Sequence, residues 1–249
     1  MKAFATLFRN ELKLSVRNMN MVIFAIILPL AVLVIQGFVY GTAAAFEGAS
    51  FSFIEQSFGA LCTISICAGG LMGLPLVVSD YRERKILKRF KVTPATPSII
   101  LFVELAIYGL YALVSAVTIF AVVSAFWGAR FQGSLPLFLL SWLLTVTSTL
   151  SIGMMVGGLA KNAKRASVWA CVLYFPMLIF SGATLPFEVM PEQVQGVVRF
   201  FPLTQGMQLM KSSFLGVGIG VESLLPQMIV LVLVTAACSL IAVRFFKWE

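Results

Sequence analysis

Residues 80–97 read DYRERKILKRFKVTPATP and separate two long apolar runs. Six of the chain's eighteen Lys and Arg residues stand here: Arg82, Arg84, Lys85, Lys88, Arg89 and Lys91. A charged block this dense between apolar runs must sit in water, next to segments that leave it. The 249-residue chain is 60% hydrophobic and 11% charged, with mean hydropathy +0.99. Soluble domains carry about 25% charged residues. One aqueous core cannot hide so many apolar side chains. The runs are long enough to cross a bilayer as helices, and they lack the alternation of barrel strands.

The periodicity predicts an all-α membrane protein with six transmembrane helices, at residues 21–45, 58–79, 98–127, 135–160, 166–185 and 224–243. Lys and Arg set the orientation, because positive loops stay on the cytoplasmic side. One side holds four in residues 1–20, six in 80–97, three in 161–165 and Arg244 and Lys247 in the tail. The other holds Arg130, Arg199 and Lys211. This predicts a multi-pass cell-membrane protein with both termini cytoplasmic, and it explains the +8 charge without nucleic acid. The N-terminus does not read as a cleaved signal peptide, because its first apolar run is about twice the length of a signal's.

Three segments outside the spans are amphipathic. In residues 1–20, Lys2, Arg9, Lys13 and Arg17 fall within an arc of about 80° on a helix, with Phe4, Phe8 and Leu12 opposite. That pattern fits a helix in the membrane interface. Glu11 breaks it by projecting into the apolar half, where it needs a partner unless it reaches water at the edge. In the 80–97 loop, Ile86, Leu87 and Phe90 share one face, and Arg84, Lys85, Lys88 and Arg89 the other. Glu83 again points into the apolar arc. The two Thr-Pro steps, Thr93-Pro94 and Thr96-Pro97, end this short helix. An apolar face with a basic rim suits docking into another protein.

The third segment is residues 181–216. Pro191 is placed at the first turn of a helix whose stripe is Val194, Val197, Val198 and Phe201. Pro202 begins a second, striped by Leu203, Met207, Met210 and Phe214 and stopped at Gly216. Two helices too short to span predict an extracellular re-entrant hairpin before the last span, a candidate outer gate. Glu104 stands inside the third span, some six residues from its start. It either pairs with a basic loop residue near the interface or is a polar contact on a pathway.

Other chemistry is missing from the sequence. The chain has no His. Its four cysteines, Cys62, Cys67, Cys171 and Cys238, lie singly in apolar runs without metal-ligand spacing. No glycine is followed by lysine, so there is no G-x-x-x-x-G-K-[ST] loop to hold ATP phosphates. Pairs of small residues four apart, Gly69 with Gly73 and Gly153 with Gly157, predict close helix packing within the chain or at a seam between copies. Pro29, Pro75 and Pro176 predict kinks.

On these residues the chain resembles the permease subunits of type-2 ABC exporters. The loop pattern E-x-G-T-L-x-x-L-x-x-T-P is matched at Glu83, Leu87, Thr93 and Pro94, with Lys85 and Ile86 where Gly and Thr are usual. The pattern S-G-x-x-x-P…P…N-P-L-T is matched at Ser181, Gly182, Pro186, Pro191 and Pro202-Leu203-Thr204, with Phe201 in place of Asn. An interfacial helix bearing a glutamate, here Glu11, completes the likeness. The resemblance implies that residues 1–20 are an interfacial helix and residues 21–249 a six-span domain. It implies a non-enzymatic transport subunit in the lipid bilayer, paired with a second permease subunit, as a homodimer in the simplest case. A separate ABC ATPase would hold ATP and Mg, so this chain binds no cofactor of its own. Glu83, Arg84, Ile86, Leu87, Phe90, Thr93 and Pro94 would couple to that ATPase, and Pro186, Pro191, Phe201 and Pro202 would form the outer gate. The expected cargo is amphipathic or hydrophobic compounds such as drugs and antibiotics. Lipid or lipid-linked saccharide export, or a non-transporting scaffold, are the alternatives.

Overall fold

The computed structural model describes residues 2–46, 49, 51–90, 97–182, 191–218 and 221–246. Among these the regular elements are helices: α1 (Lys2–Arg17), α2 (Asn20–Tyr40), α3 (Phe53–Glu83), α4 (Ile86–Phe90), α5 (Pro97–Trp127), α6 (Leu135–Leu159), α7 (Ala163–Phe180), α8 (Glu192–Val198), α9 (Pro202–Leu215) and α10 (Val221–Phe245). Six of them, α2, α3, α5, α6, α7 and α10, are long and apolar enough to cross a membrane. Side-chain bonds join the start of α7 and the ends of α3 and α6, defining a near end of the bundle.

Among the span boundaries that differ from the sequence reading, three have a clear local reason. The first span stops at Tyr40, five residues early, where Gly41 adopts φ 53°. The second starts at Phe53, five residues early. Ser52 and Glu55 form a capping box, each side chain accepting from the other's backbone N–H. It also runs on to Glu83, because the polar residues after Ser79 continue the helix. At 31 residues α3 is about 46 Å long, well beyond a hydrocarbon core of about 30 Å. It therefore carries its polar last turn to the near end of the bundle.

Pro29 and Pro75 do distort their helices. Each follows a π-helical turn, Ile23–Ile27 and Ala68–Gly73. Proline removes an N–H and crowds the carbonyl four residues back, and a widened turn relieves that contact.

Helix α3 is the hub, with every residue from Ser57 to Leu71 buried. Glycines set its distance to α6. A Cβ on Gly153 would collide with the Gly70 carbonyl oxygen, and one on Gly157 would come within 2.8 Å of Val78 Cβ. The Gly69 and Gly73 side of α3 faces Tyr108. Both pairs are therefore used inside this chain. Two hydroxyls buried in α6 turn back to their own helix: Thr145 donates to the Ser141 carbonyl and Thr149 to that of Thr145, at 2.7 Å each. This satisfies those two groups without water, whereas the buried hydroxyls of Ser65, Ser115 and Ser148 find no partner among the described residues.

Helix α9 differs most from expectation. The predicted stripe of Leu203, Met207, Met210 and Phe214 is buried, but so are Thr204, Gln205 and Ser213 between those positions. Leu203 packs with Leu71, Ile152 and Tyr174 from the middle of three spans. Phe214 stacks near Phe58, Phe131 and Phe138 at the far end. Helix α9 thus lies inside the bundle. Pro202 starts it and Gly216, at φ 75°, ends it. In α8, Val198 is buried while Val197 is 62% exposed, which breaks the predicted stripe. Pro191 is the residue before the first turn rather than within it.

Candidate functional site

The last turn of α3 organises the near end. A helix advances about 100° per residue, so consecutive side chains leave in different directions. Four do so here. Asp80 holds Arg84 at 2.8 Å on the exposed side. Tyr81 Oη lies 2.7 Å from Glu11 Oε2 of α1 and 3.1 Å from Glu104 Oε1 of α5. Arg82, 7% exposed, donates to the carbonyls of Gly157 at 2.9 Å and Ala160 at 2.6 Å, and lies 5.7 Å from the Phe246 ring centroid. Glu83 Oε2 accepts from the Ala163 N–H at 2.9 Å.

The electrostatics match the helix ends. Arg82 is a cation on the last carbonyls of α6, and Glu83 an anion at the first turn of α7. The Asn162 side chain caps α7 alongside, accepting from the Arg165 N–H at 2.9 Å. The tip of α3 is thus tied to α1, α5, α6 and α7 and touches the segment after α10.

Helix α4 hangs directly from this tip through Arg84 and Lys85. Lys85 takes φ 57°, a left-handed conformation that glycine favours, at the position where the exporter pattern has Gly. The apolar face of α4 is spent inside the chain: Leu87 is 1% exposed and Ile86 packs partly against the same core. The expectation that Ile86 and Leu87 form an outward docking surface is corrected. They anchor α4, and the exposed basic residues here are Arg84 and Lys85 in the turn before it and Lys88 on it. The side chain of Phe90, and Thr93 and Pro94 altogether, lie outside the described residues, as does Pro186 of the gate.

Beside the tip of α3 is a cavity of about 1120 Å³, whose lining includes Glu11, Tyr81, Glu104, Tyr108, Tyr174 and Met72. Glu11, expected to need a partner, finds Tyr81. Glu104 meets the same hydroxyl, and no Lys or Arg among the described residues forms an ion pair with either acid. The Ser15–Tyr111 hydroxyl bond, 3.0 Å, further fixes α1 to α5. No group of three or more His, Cys, Asp or Glu able to hold a metal occurs among the described residues. At the gate segment, Phe201 precedes the first turn of α9 and Pro202 is buried in it. There Gln205 Nε2 donates to the Arg199 carbonyl at 2.5 Å.

Sequence reasoning passed over Tyr81 and Arg82. Arg82 carries a legible signal: it continues the row Leu71, Leu74, Val78 on α3, all buried, so an arginine there must find acceptors. Tyr81 carries none, since a tyrosine near a membrane interface is common.

The family model described as ABC-2 type transporter matches residues 2–215. The chain belongs to the ABC-2 type transporter family. It is also 30% identical over 167 residues to proteins named inner membrane transport permease YhhJ in Escherichia coli K12 and in Shigella flexneri. Those alignments cover 67% of this chain and 44% of each relative, so the chain spans less than half of the relatives it matches. Membership, together with six helices long and apolar enough to cross a membrane, makes this ABC-2 chain a multi-pass membrane permease component. The tip of α3 and all of α4 fall inside the ABC-2 match.

Proposed function

We propose that the chain is the permease subunit of an ATP-driven exporter of amphipathic or hydrophobic compounds, drugs and antibiotics among them, energised by a separate ATPase subunit. In this reading the near end is cytoplasmic and the ATPase docks against α4. Two permease subunits pair in the bilayer to enclose the path. Helix α1 lies in the cytoplasmic interface. Helices α8 and α9 form the re-entrant hairpin that gates the outer end, supported by the course of α9 from mid-bundle to the far end.

One observation carries the reading: the helix available to a motor is bolted to the moving parts. Force on the basic face of α4 passes through Lys85 into the α3 tip. From there it reaches α6 through Arg82 and α7 through Glu83. Helix α4 need not insert its own apolar face, because a basic surface can be received by an acidic groove.

The test is co-purification of the tagged full chain from its native membrane. An ATP-hydrolysing chain should copurify, and Arg84→Glu with Lys88→Glu should cut its recovery at least fivefold while membrane insertion is unchanged. Recovery of no ATPase with the unaltered chain, or unaltered recovery with the charge-reversed one, would sink the coupling assignment.

A further inference from the structure

The near-end cavity contains an acidic anchor, Glu104 and Glu11, with which no Lys or Arg among the described residues forms an ion pair. Glu104 is 4% exposed and yet lines the cavity. It and Glu11 share one phenol, Tyr81, at 3.1 and 2.7 Å. One hydroxyl carries one proton, so it donates fully to only one carboxylate at a time. Two guanidiniums stand at the cavity wall: Arg84 is held by Asp80 at 2.8 Å, and Arg17 forms no ion pair with Glu11 or Glu104. Among the described residues Glu104 is hydrogen-bonded only by Tyr81, through Oε1, which leaves its Oε2 for something else to match. Such groups inside spans are costly unless paired, and they mark pathways.

The rest of the wall says what kind of group would match it. Tyr108, Tyr174, Phe24 and Met72 line the same cavity and supply aromatic rings and a thioether. About 1120 Å³ far exceeds the needs of a bare ion and equals a pocket for a drug-sized molecule. Two acidic side chains also fall short of a metal ligand set. Ring faces favour a diffuse positive charge on an apolar body.

We propose that this cavity binds an organic cation, a protonated or quaternary amine on an apolar scaffold, with Glu104 and Glu11 as its counter-ions and the rings of Tyr108 and Tyr174 against its apolar body. The physiological role of the site, as the loading point for cargo, rests on the export reading; the binding itself does not. Tyr81 keeps the two carboxylates together when the site is empty and frees one of them when the cation arrives.

Radiolabelled tetraphenylphosphonium, with tetraphenylborate as the size-matched anion, tests this on the full chain in nanodiscs of zwitterionic lipid. Tetraphenylphosphonium should bind saturably and tetraphenylborate should not. Glu104→Gln should weaken binding at least tenfold, and Glu104→Asp should restore part of it. Should Glu104→Gln fail to fold, Glu11→Gln, on the half-buried acid of α1, carries the same expectation. The proposal is overturned by absent saturable binding, by equal binding of the anion, or by undiminished binding in a folded charge-neutral variant. Displacement by millimolar Mg²⁺ but not by a second organic cation would also overturn it. No ATPase is in the assay, so failure here leaves the export reading standing, and failure to recover an ATPase leaves this result standing.

Discussion

At the scale of the residue, the informative positions are those where charge or backbone breaks the local pattern. Lys85 is held at φ 57°, which costs a side-chain-bearing residue about 1–2 kcal/mol. Lys85→Gly should therefore raise stability by about 0.5–1 kcal/mol after the unfolded chain's extra entropy is counted, whereas Lys85→Val should lower it. Thermal unfolding of the purified protein in detergent reads both, and a valine variant as stable as the glycine variant would contradict the strain. Arg82 is a second such position. Arg82→Met keeps the bulk but leaves the Gly157 and Ala160 carbonyls without their charged donor, at a cost of about 2–3 kcal/mol. An unchanged melting temperature would show that those carbonyls are satisfied elsewhere. The acids at 11, 83 and 104 stand out in the sequence because each sits on an apolar face. Their partners do not, because Tyr81 and the Ala163 N–H come from other elements that only the fold brings near.

At the scale of the element, the spans were legible because a bilayer demands long apolar helices, and the small-residue pairs were legible as close approaches. Their pairing was not: Gly153 and Gly157 meet Gly70, Pro75 and Val78, while Gly69 and Gly73 turn to Tyr108. Spacing marks a thin place on a helix without naming the helix that fills it. Helix α9 reads as an amphipathic arm of a re-entrant hairpin, with one apolar stripe, yet Thr204, Gln205 and Ser213 off that stripe are buried too. Those groups are matched internally, Ser213 by Ser141 at 3.2 Å and Thr204 by the Phe180 carbonyl at 3.5 Å. A matched pair of substitutions tests the packing account. Gly153→Ala adds a methyl into the Gly70 carbonyl and should cost about 1–3 kcal/mol. Gly109→Ala, in the middle of α5 with nothing within 4 Å of its new Cβ, should be neutral or stabilising by up to about 1 kcal/mol. Equal melting shifts for the two would mean that α3 and α6 are free to separate.

At the scale of the whole molecule, the proposed mechanism requires α4 to face the compartment that holds ATP, so orientation decides more than topology. The charge count favours the near end inside, and six spans return both termini to that end. Two exposed reporters at opposite ends of the bundle separate the outcomes: Lys88 on α4, and Val217 just beyond the end of α9. Each is changed to Cys in a background in which Cys171 and Cys238, the two half-buried native thiols, are replaced by Ala. An impermeant maleimide on intact cells should label Val217→Cys and reach Lys88→Cys only after permeabilisation. The reverse pattern would invert the molecule, place the basic face of α4 away from ATP, and remove the coupling reading along with the direction of transport. Labelling of both from outside would mean that the two ends share a compartment, which six spans cannot allow. The expected pattern leaves one geometry in which an ATPase can push on Arg84 and Lys88 while the Glu11–Glu104 cavity loads from the same side.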